Sequence, residues 1–186
     1  MSDQVARARR GDRAALESLL DSALTPIYRF VALRVAPGPG VDDVVQDTLL
    51  AALSSISTLR GDDDALFTRW LLGIARFKVA DHHRERYRRP IDSIDGEDSL
   101  AEPSSEQGGS VEDVVMDRAR STRLRDELRN LTPEQEEVLT LRYVMGYDNR
   151  QVAAITGRNI GAVKALQHRA LGTLARRLKM ADQGWM

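Results

Sequence analysis

The sequence has no cysteine, which excludes disulfides and thiolate metal centres and fits a reducing, cytoplasmic setting. No apolar run approaches the roughly 20 residues needed to cross a bilayer. The opening residues, MSDQVARARRGD, lack the apolar core of a secretory signal. A soluble cytoplasmic chain without membrane insertion is therefore expected. Strand-like alternation of useful length is missing too, and no internal repeat is visible, which leaves an all-α reading. Catalytic signatures are equally scarce. There is no Gly-rich phosphate loop, no nucleophile elbow and no metal-spaced histidine pair. Asp81, His82 and His83 carry metal-ligating groups, but neighbouring residues of a helix do not share a face. His168 stands alone, and Asp62-Asp63-Asp64 reads as a solvated acidic loop. The expectation is a protein that is not an enzyme and needs neither cofactor nor metal.

Two more absences concern charge. The net charge is −1, so the whole chain is no general polyanion binder, but the charge is segregated, which says more than the sum. Residues 91–113 hold eight carboxylates (Asp92, Asp95, Glu97, Asp98, Glu102, Glu106, Glu112 and Asp113) and no Lys or Arg. With Pro103, Gly108, Gly109 and several serines, this stretch has too little apolar surface to fold and is expected to be a flexible, disordered acidic linker. Residues 149–181 are the converse. They contain no Asp or Glu but carry Arg150, Arg158, Lys164, Arg169, Arg176, Arg177 and Lys179. That is a local electrostatic footprint for nucleic acid.

What is present is mostly helical spacing. Ala6 to Val35 carries Leu16, Leu19, Leu20, Ile27, Phe30 and Val31, with Pro26 marking a boundary or a first turn. Pro37-Gly38-Pro39-Gly40 is a break. Asp42 to Leu59 is a second helix with Val45, Leu49, Ala52, Leu53 and Ile56 on its expected inward face. After the loop Arg60 to Asp64, a third helix runs from about Ala65 to Arg88 and ends before Pro90. Phe67, Trp70, Phe77 and Tyr87 alternate there with Arg69, Arg76, Lys78, Arg84, Arg86, Arg88 and Arg89. Rings that stack on unpaired bases, beside cations that hold the backbone, suit single-stranded DNA. Each ring is equally suited to a small helical core.

The stretch from Thr132 to Leu178 reads as three helices with two sharp stops. Thr132-Pro133-Glu134-Gln135 is a helix start with a capping threonine, proline at the first position and a returning glutamine. Gly146 is a stop, Asp148 starts a short helix, Gly157 stops it, and Asn159 caps the last one. A short helix, a tight glycine turn and a longer helix make a helix-turn-helix. On the last helix Val163, Leu166, Ala170, Leu174 and Leu178 form an apolar stripe, with Gln167 inside it and in need of a hydrogen-bond partner. The opposite face carries Gly161, Ala165, His168 and Gly172, flanked by Lys164 and Arg169. A basic amphipathic helix packed on a partner protein is the competing reading of this pattern.

At this point the residues resemble a known family. Asp42-Asp43-Val44-Val45-Gln46-Asp47-Thr48-Leu49 resembles the polymerase-binding helix of the extracytoplasmic-function (ECF) sigma factors, within the sigma-70 family of bacterial RNA polymerase. Trp70 to Arg76, followed by Asp81-His82 and Arg84, is similar to that family's promoter-melting helix. Leu131 to Gln135, Leu141-Arg142-Tyr143, and Gly161 to Lys164 with His168-Arg169-Ala170 resemble its second DNA-binding domain. The departures are Phe77 where the family usually has Asn, Ala165-Leu166-Gln167 where it has Ser-Arg-Leu, and Leu49 where it has an aromatic.

The resemblance implies two small helical domains. Residues 1–90 would bind core polymerase, recognise the minus-ten element and melt it; residues 91–113 would be the linker, threading the polymerase cleft; residues 114–186 would read the minus-thirty-five element with the helix-turn-helix. Docking on the clamp helices of the largest polymerase subunit falls by position on Asp43, Gln46, Asp47 and Leu50. Minus-ten DNA falls on Asp63, Phe67, Trp70, Arg76, Phe77, Lys78 and Arg84, with the loop from Gly61 to Phe67 as the pocket for a flipped base. Minus-thirty-five DNA falls on Arg158, Asn159, Gly161, Lys164, Ala165, His168 and Arg169, with the second domain resting on the flap of the other large subunit. Promoter DNA, duplex and single-stranded, is the implied ligand, and an inhibitory anti-sigma factor is the further partner common in the family. No sensing domain is expected after Leu178. A regulator that uses the helix-turn-helix without polymerase, and an adaptor that uses its helices as protein-docking faces, are the rival classes.

Overall fold

In the computed structural model, residues 4–61, 63–88, 127–128 and 130–183 are described, and every regular element among them is helical. The expected linker, 91–113, lies outside these residues. The helices belong to two compact units.

The first unit is built on four helices. α1 (Gln4–Arg9) ends at Gly11, whose φ of 92° favours glycine. Asp12 then caps α2 (Arg13–Arg34), its carboxylate accepting from the Ala15 N–H at 3.1 Å and pairing with Arg7. The stretch expected as one helix from Ala6 is therefore two, because Gly11-Asp12 supplies a stop and a start back to back. Pro26 is also not the expected boundary. It lies inside α2, where its missing N–H costs one ladder bond. Ala23, Ile27, Phe30 and Val31 around it are buried, and that anchoring carries the helix through.

α3 (Pro39–Ser55) starts three residues earlier than the expected Asp42, with proline in its first turn and Gly38 before it at φ 128°. Its buried face is Val41, Val44, Val45, Thr48 and Ala52, one stripe at helical spacing. The Thr48 hydroxyl donates to the Val44 carbonyl at 2.7 Å, so burial leaves it satisfied. Leu53 was expected inward but lies about 100° past Ala52 and is 44% exposed. A 3₁₀ turn, Ile56–Thr58, leads to buried Leu59. α4 (Asp64–Arg88) packs on both α2 and α3 through Phe67, Leu71, Leu72, Ala75 and Val79, all fully buried.

The second unit rests on α5 (Pro133–Leu139) packed against α7 (Ile160–Gln183), with short α6 (Asn149–Thr156) between them in sequence. The start of α5 is the expected capping box, Thr132 with Gln135. Its end is less regular: α5 widens into a π-turn, Thr140–Val144, in which the Met145 N–H reaches back to Thr140, before Gly146 stops it at φ 75°. Val138, Leu141, Val152, Val163 and Ala170 are fully buried there.

Candidate nucleic-acid interface

The turn that presents α7 is built by three side chains and one glycine. Asp148 caps α6: its carboxylate accepts from the Gln151 N–H at 2.8 Å and from the Arg150 N–H at 2.7 Å, and Gln151 returns a bond to the Asp148 N–H at 2.8 Å. The Gln151 N–H, then that of Arg150, hold the Asp148 carboxyl below its usual range. At the far end of α6, Gly157 takes φ 68°, which lets the Arg158 N–H reach back to the Ala153 carbonyl at 3.1 Å. Asn159 then caps α7 by accepting from the Ala162 N–H at 2.7 Å. The connection is Gly157-Arg158-Asn159, short enough to fix the direction of α7.

Once set, α7 divides cleanly. Val163, Leu166 and Ala170 are buried. Gly161, Lys164, His168 and Arg169 are exposed, with Asn159 at the entrance, and Ala165 and Arg158 partly buried beside them. Five of the seven residues expected to meet duplex DNA thus come to one side of α7, with Arg158 and Asn159 in the turn just before it, and no carboxylate lies between 149 and 181. Gln167 has the partner it needed: its amide donates to the Tyr143 hydroxyl at 2.7 Å. Tyr143 sits on the π-turn under the Arg142 guanidinium, which also donates to the Tyr147 carbonyl. This brace ties α7 to the end of α5. It had no sequence signal, because the partners are 24 residues apart.

α4 offers a second surface, and here the expectation needs correcting. Phe67 is fully buried, in the core with Leu71 and Val79, and cannot stack on a base. A ring at the first turn of a helix packed on two others is simply claimed by the core. Trp70 is half-buried with its ring 5.8 Å from that of Phe67. Asp63 caps α4, accepting from the Ala65 N–H at 3.1 Å and lying 4.0 Å from Arg69. Arg76 and Lys78 are half-buried, Phe77 and Arg84 exposed, and Arg84 is paired with Asp81.

Asp43, Gln46, Asp47 and Leu50 lie exposed on one face of α3, as their spacing requires. Exposed Leu53 continues that face. A groove between α3 and α4 is lined by Asp43 and Asp47 on one wall and by Lys78, His82, Arg84 and Arg86 on the other, where Asp81 and Glu85 also stand. His83, beside it in sequence, is half-buried. Burial holds its ring below the usual histidine range, a hydrogen bond to the Arg34 backbone opposes this, and the charges of Arg34, His82 and Arg86 add to the lowering. Among the described residues no three His, Cys, Asp or Glu side chains gather to hold a metal ion, and no helix is long and apolar enough to cross a membrane.

A capped helix-turn-helix in one unit and an aromatic–basic helix in the other define the class that the geometry supports, a DNA-binding protein. Residues 19–89 match the family description Sigma-70 region 2, and residues 121–174 match Sigma-70, region 4. The ECF RNA polymerase sigma factor BldN of Streptomyces coelicolor is 36% identical over 181 residues, covering 96% of this chain and 66% of that protein. The ECF RNA polymerase sigma factor SigD of Mycobacterium tuberculosis is 36% identical over 174 residues, covering 91% and 80%. Among solved structures, CnrH in complex with the cytosolic domain of CnrY shares the fold at a TM-score of 0.70 and 24% identity, covering 95% of this chain and 96% of that one. RpoE in complex with the anti-sigma factor NepR from Bartonella quintana shares it at 0.64 and 23%, covering 88% and 96%. The chain belongs to the ECF sigma factors of the sigma-70 family, which direct RNA polymerase to promoters and start transcription.

Proposed function

We propose the following division of labour within that activity. Residues 1–90 bind core polymerase and open the minus-ten element, residues 114–186 read the minus-thirty-five element, and the acidic segment 91–113 joins them. α3 docks on the clamp helices of the largest subunit through Asp43, Gln46, Asp47 and Leu50, extended by Leu53. α4 holds the melted strand through Trp70, Arg76, Phe77, Lys78 and Arg84, with Asp63 at the loop before it and Phe67 serving the core instead. The second unit rests on the flap of the other large subunit. The protein works in the cytoplasm, without catalytic chemistry of its own. The two solved neighbours are held by partner proteins, and an anti-sigma factor is proposed for this chain on that basis.

The observation that carries the reading is the exposed face of α7. Its first three turns present Lys164, Ala165, His168 and Arg169 beside small Gly161, the arrangement by which a recognition helix enters a major groove. Lys164 or Arg169 donates to guanine, and Ala165 meets a thymine methyl. Arg158 and Asn159, at the helix start, touch phosphate.

The test is transcription by core polymerase plus the purified chain on a library of minus-thirty-five sequences. Lys164→Ala and Arg169→Ala should each cost about 1–3 kcal/mol at one promoter position and relax preference there. Arg158→Ala should weaken all sequences alike and reduce the salt slope by about one unit. If Arg158→Ala shifts base preference while the other two scale every promoter equally, the assignment is inverted. Promoter-specific binding that survives without core polymerase, with no added transcription when it is present, would favour the rival regulator.

A further inference from the structure

Among the described residues of the second unit, four large hydrophobic side chains are exposed: Tyr143, Val144, Ile160 and Leu171. Tyr143 and Val144 belong to the π-turn, and the Tyr143 hydroxyl accepts from Gln167. Leu171 lies eleven residues past Ile160, about 16 Å further along α7. That leaves Ile160, the first residue of α7, which is 40% exposed. A single exposed isoleucine is ordinary on a surface, but this one interrupts a polar tract. Arg158, Asn159, Gly161 and Lys164 surround it in sequence, and no carboxylate lies between 149 and 181. At 100° per residue it projects about 40° from Lys164 and about 60° from buried Val163, so it stands at the edge of the reading face. The Asn159 cap and the bond from the Val163 N–H to the Asn159 carbonyl, 3.1 Å, hold the turn that carries it. Gly161 keeps that turn slim, since a Cβ there would come 3.3 Å from the capping Oδ1. Ile160 is therefore a fixed apolar probe within a cationic surface that continues the face already described.

We propose that Ile160 is a specificity-determining residue of the minus-thirty-five contact, which selects a thymine by its C5-methyl group in the major groove. The inference rests on the reading of α7 as the recognition helix and extends it to a residue that this reading leaves without a role. The first residues of such a helix are among those that reach base edges. Thymine alone among the four bases presents a methyl group there. Isoleucine brings no donor or acceptor, so it discriminates by apolar contact. Cytosine, a ring of the same size without the methyl, offers it little. β-Branching confines the side chain to one favoured χ1 rotamer in a helix, so little freedom is lost on contact. Ala165 does not serve the same methyl. It lies about 7.5 Å along the helix axis from Ile160 and about 140° around it, and so faces a different base pair.

The experiment uses holoenzyme assembled from core polymerase and the full chain, on the preferred sequence from the minus-thirty-five library. Each thymine of that element, on either strand, is replaced in turn by uracil, which deletes the methyl group alone. With the wild-type chain, one position assigned to Ile160 should lose promoter binding about four-fold, the effect of one buried methyl. Ile160→Ala should abolish that loss at this position alone and relax its thymine preference, while Ile160→Val should keep most of both. Ala165→Gly should leave the loss at this position in place. Circular dichroism confirms that these variants fold. If no uracil substitution weakens binding, or if the sensitive positions answer to Ala165→Gly and not to Ile160→Ala, the inference falls. Lys164→Ala and Arg169→Ala then decide the wider reading: altered base preference in either keeps α7 as the recognition helix, and no change in both removes it. An equal loss with Ile160→Ala on every sequence, methylated or not, would place Ile160 against the sugar-phosphate backbone or in folding and overturn the inference as well.

Discussion

Phe67 and Phe77 are the same residue type on the same helix, ten positions apart, and their environments are opposite. Phe67 is fully buried and Phe77 largely exposed. Phe67→Ala should therefore leave a cavity between α4 and its neighbours and cost about 3–5 kcal/mol. Phe77→Ala should change stability by no more than about 0.5 kcal/mol. Urea unfolding followed by Trp70 fluorescence, in a Trp185→Phe background, checks both. A small effect at Phe67 would remove it from the core and restore it as a base contact. His83 makes a second prediction at this scale. Burial depresses its pKa, so between the usual histidine value and the lower folded value the unfolded chain binds a proton that the folded one resists. Stability must then fall as pH drops below about 6.5 and flatten once the folded ring also protonates. Replacing His83 by Gln should reduce the decline of the urea midpoint between pH 7 and pH 5. An unchanged decline would assign the acid sensitivity to other groups.

At the level of elements, the turn between α6 and α7 decides where the reading face points. Gly157 has φ 68°, a conformation that costs an L-residue about 1–2 kcal/mol. Gly157→Val should lose that much stability and release the bond from Arg158 to Ala153, re-aiming α7. The checking measurement is duplex binding to the minus-thirty-five element alongside thermal melting: Gly157→Asn should recover much of both, since asparagine tolerates this region. Loss of melting temperature without any change in DNA binding would mean that the turn does not orient α7. This turn was legible in the sequence because its signals are local: Asp148, Gly157 and Asn159 each act within three residues. The stripe on α7 was legible because it repeats at helical spacing. The π-turn after Leu139 and the bond from Tyr143 to Gln167 were not legible, since neither follows from a local preference. The phase of α3 was misread by one residue at Leu53 because apolar residues crowd its second half; only packing against α2 and α4 decides which of them turn inward. Pro26 was misread for a similar reason, since the burial on either side of it outweighs the lost bond. The α4 rings could not be sorted by pattern at all: a buried and an exposed phenylalanine look alike until the neighbouring helices are in place.

Across the whole molecule, charge is distributed by task, and the overall −1 conceals it. The α3 face carries Asp43 and Asp47, α7 carries cations and no carboxylate before Asp182, and residues 91–113 carry eight carboxylates and no cation. Polymerase docking, DNA reading and the joining segment should then respond independently, because distant sites with no shared partners add. Reversing charge with Asp43→Arg and Asp47→Arg should weaken binding to core polymerase in a pulldown while leaving duplex binding by α7 unchanged. Converting the eight acids of 91–113 to their amides is the sharper case. Those residues belong to neither proposed binding surface, so core binding and minus-thirty-five binding should stay within about 0.5 kcal/mol of the wild type. What should change is initiation. If the segment threads the polymerase cleft as the family resemblance implies, its carboxylates would compete with template and nascent RNA for that path and repel their phosphates. Removing that repulsion alters the competition between segment and RNA, and screening by salt should do the same in the wild type. The amide variant should therefore change the ratio of short abortive transcripts to full-length RNA, and that ratio should lose most of its dependence on ionic strength. A variant that initiates like the wild type at every salt concentration would leave the segment as a spacer whose charge is irrelevant. One that loses core binding would instead place those acids in the docking surface.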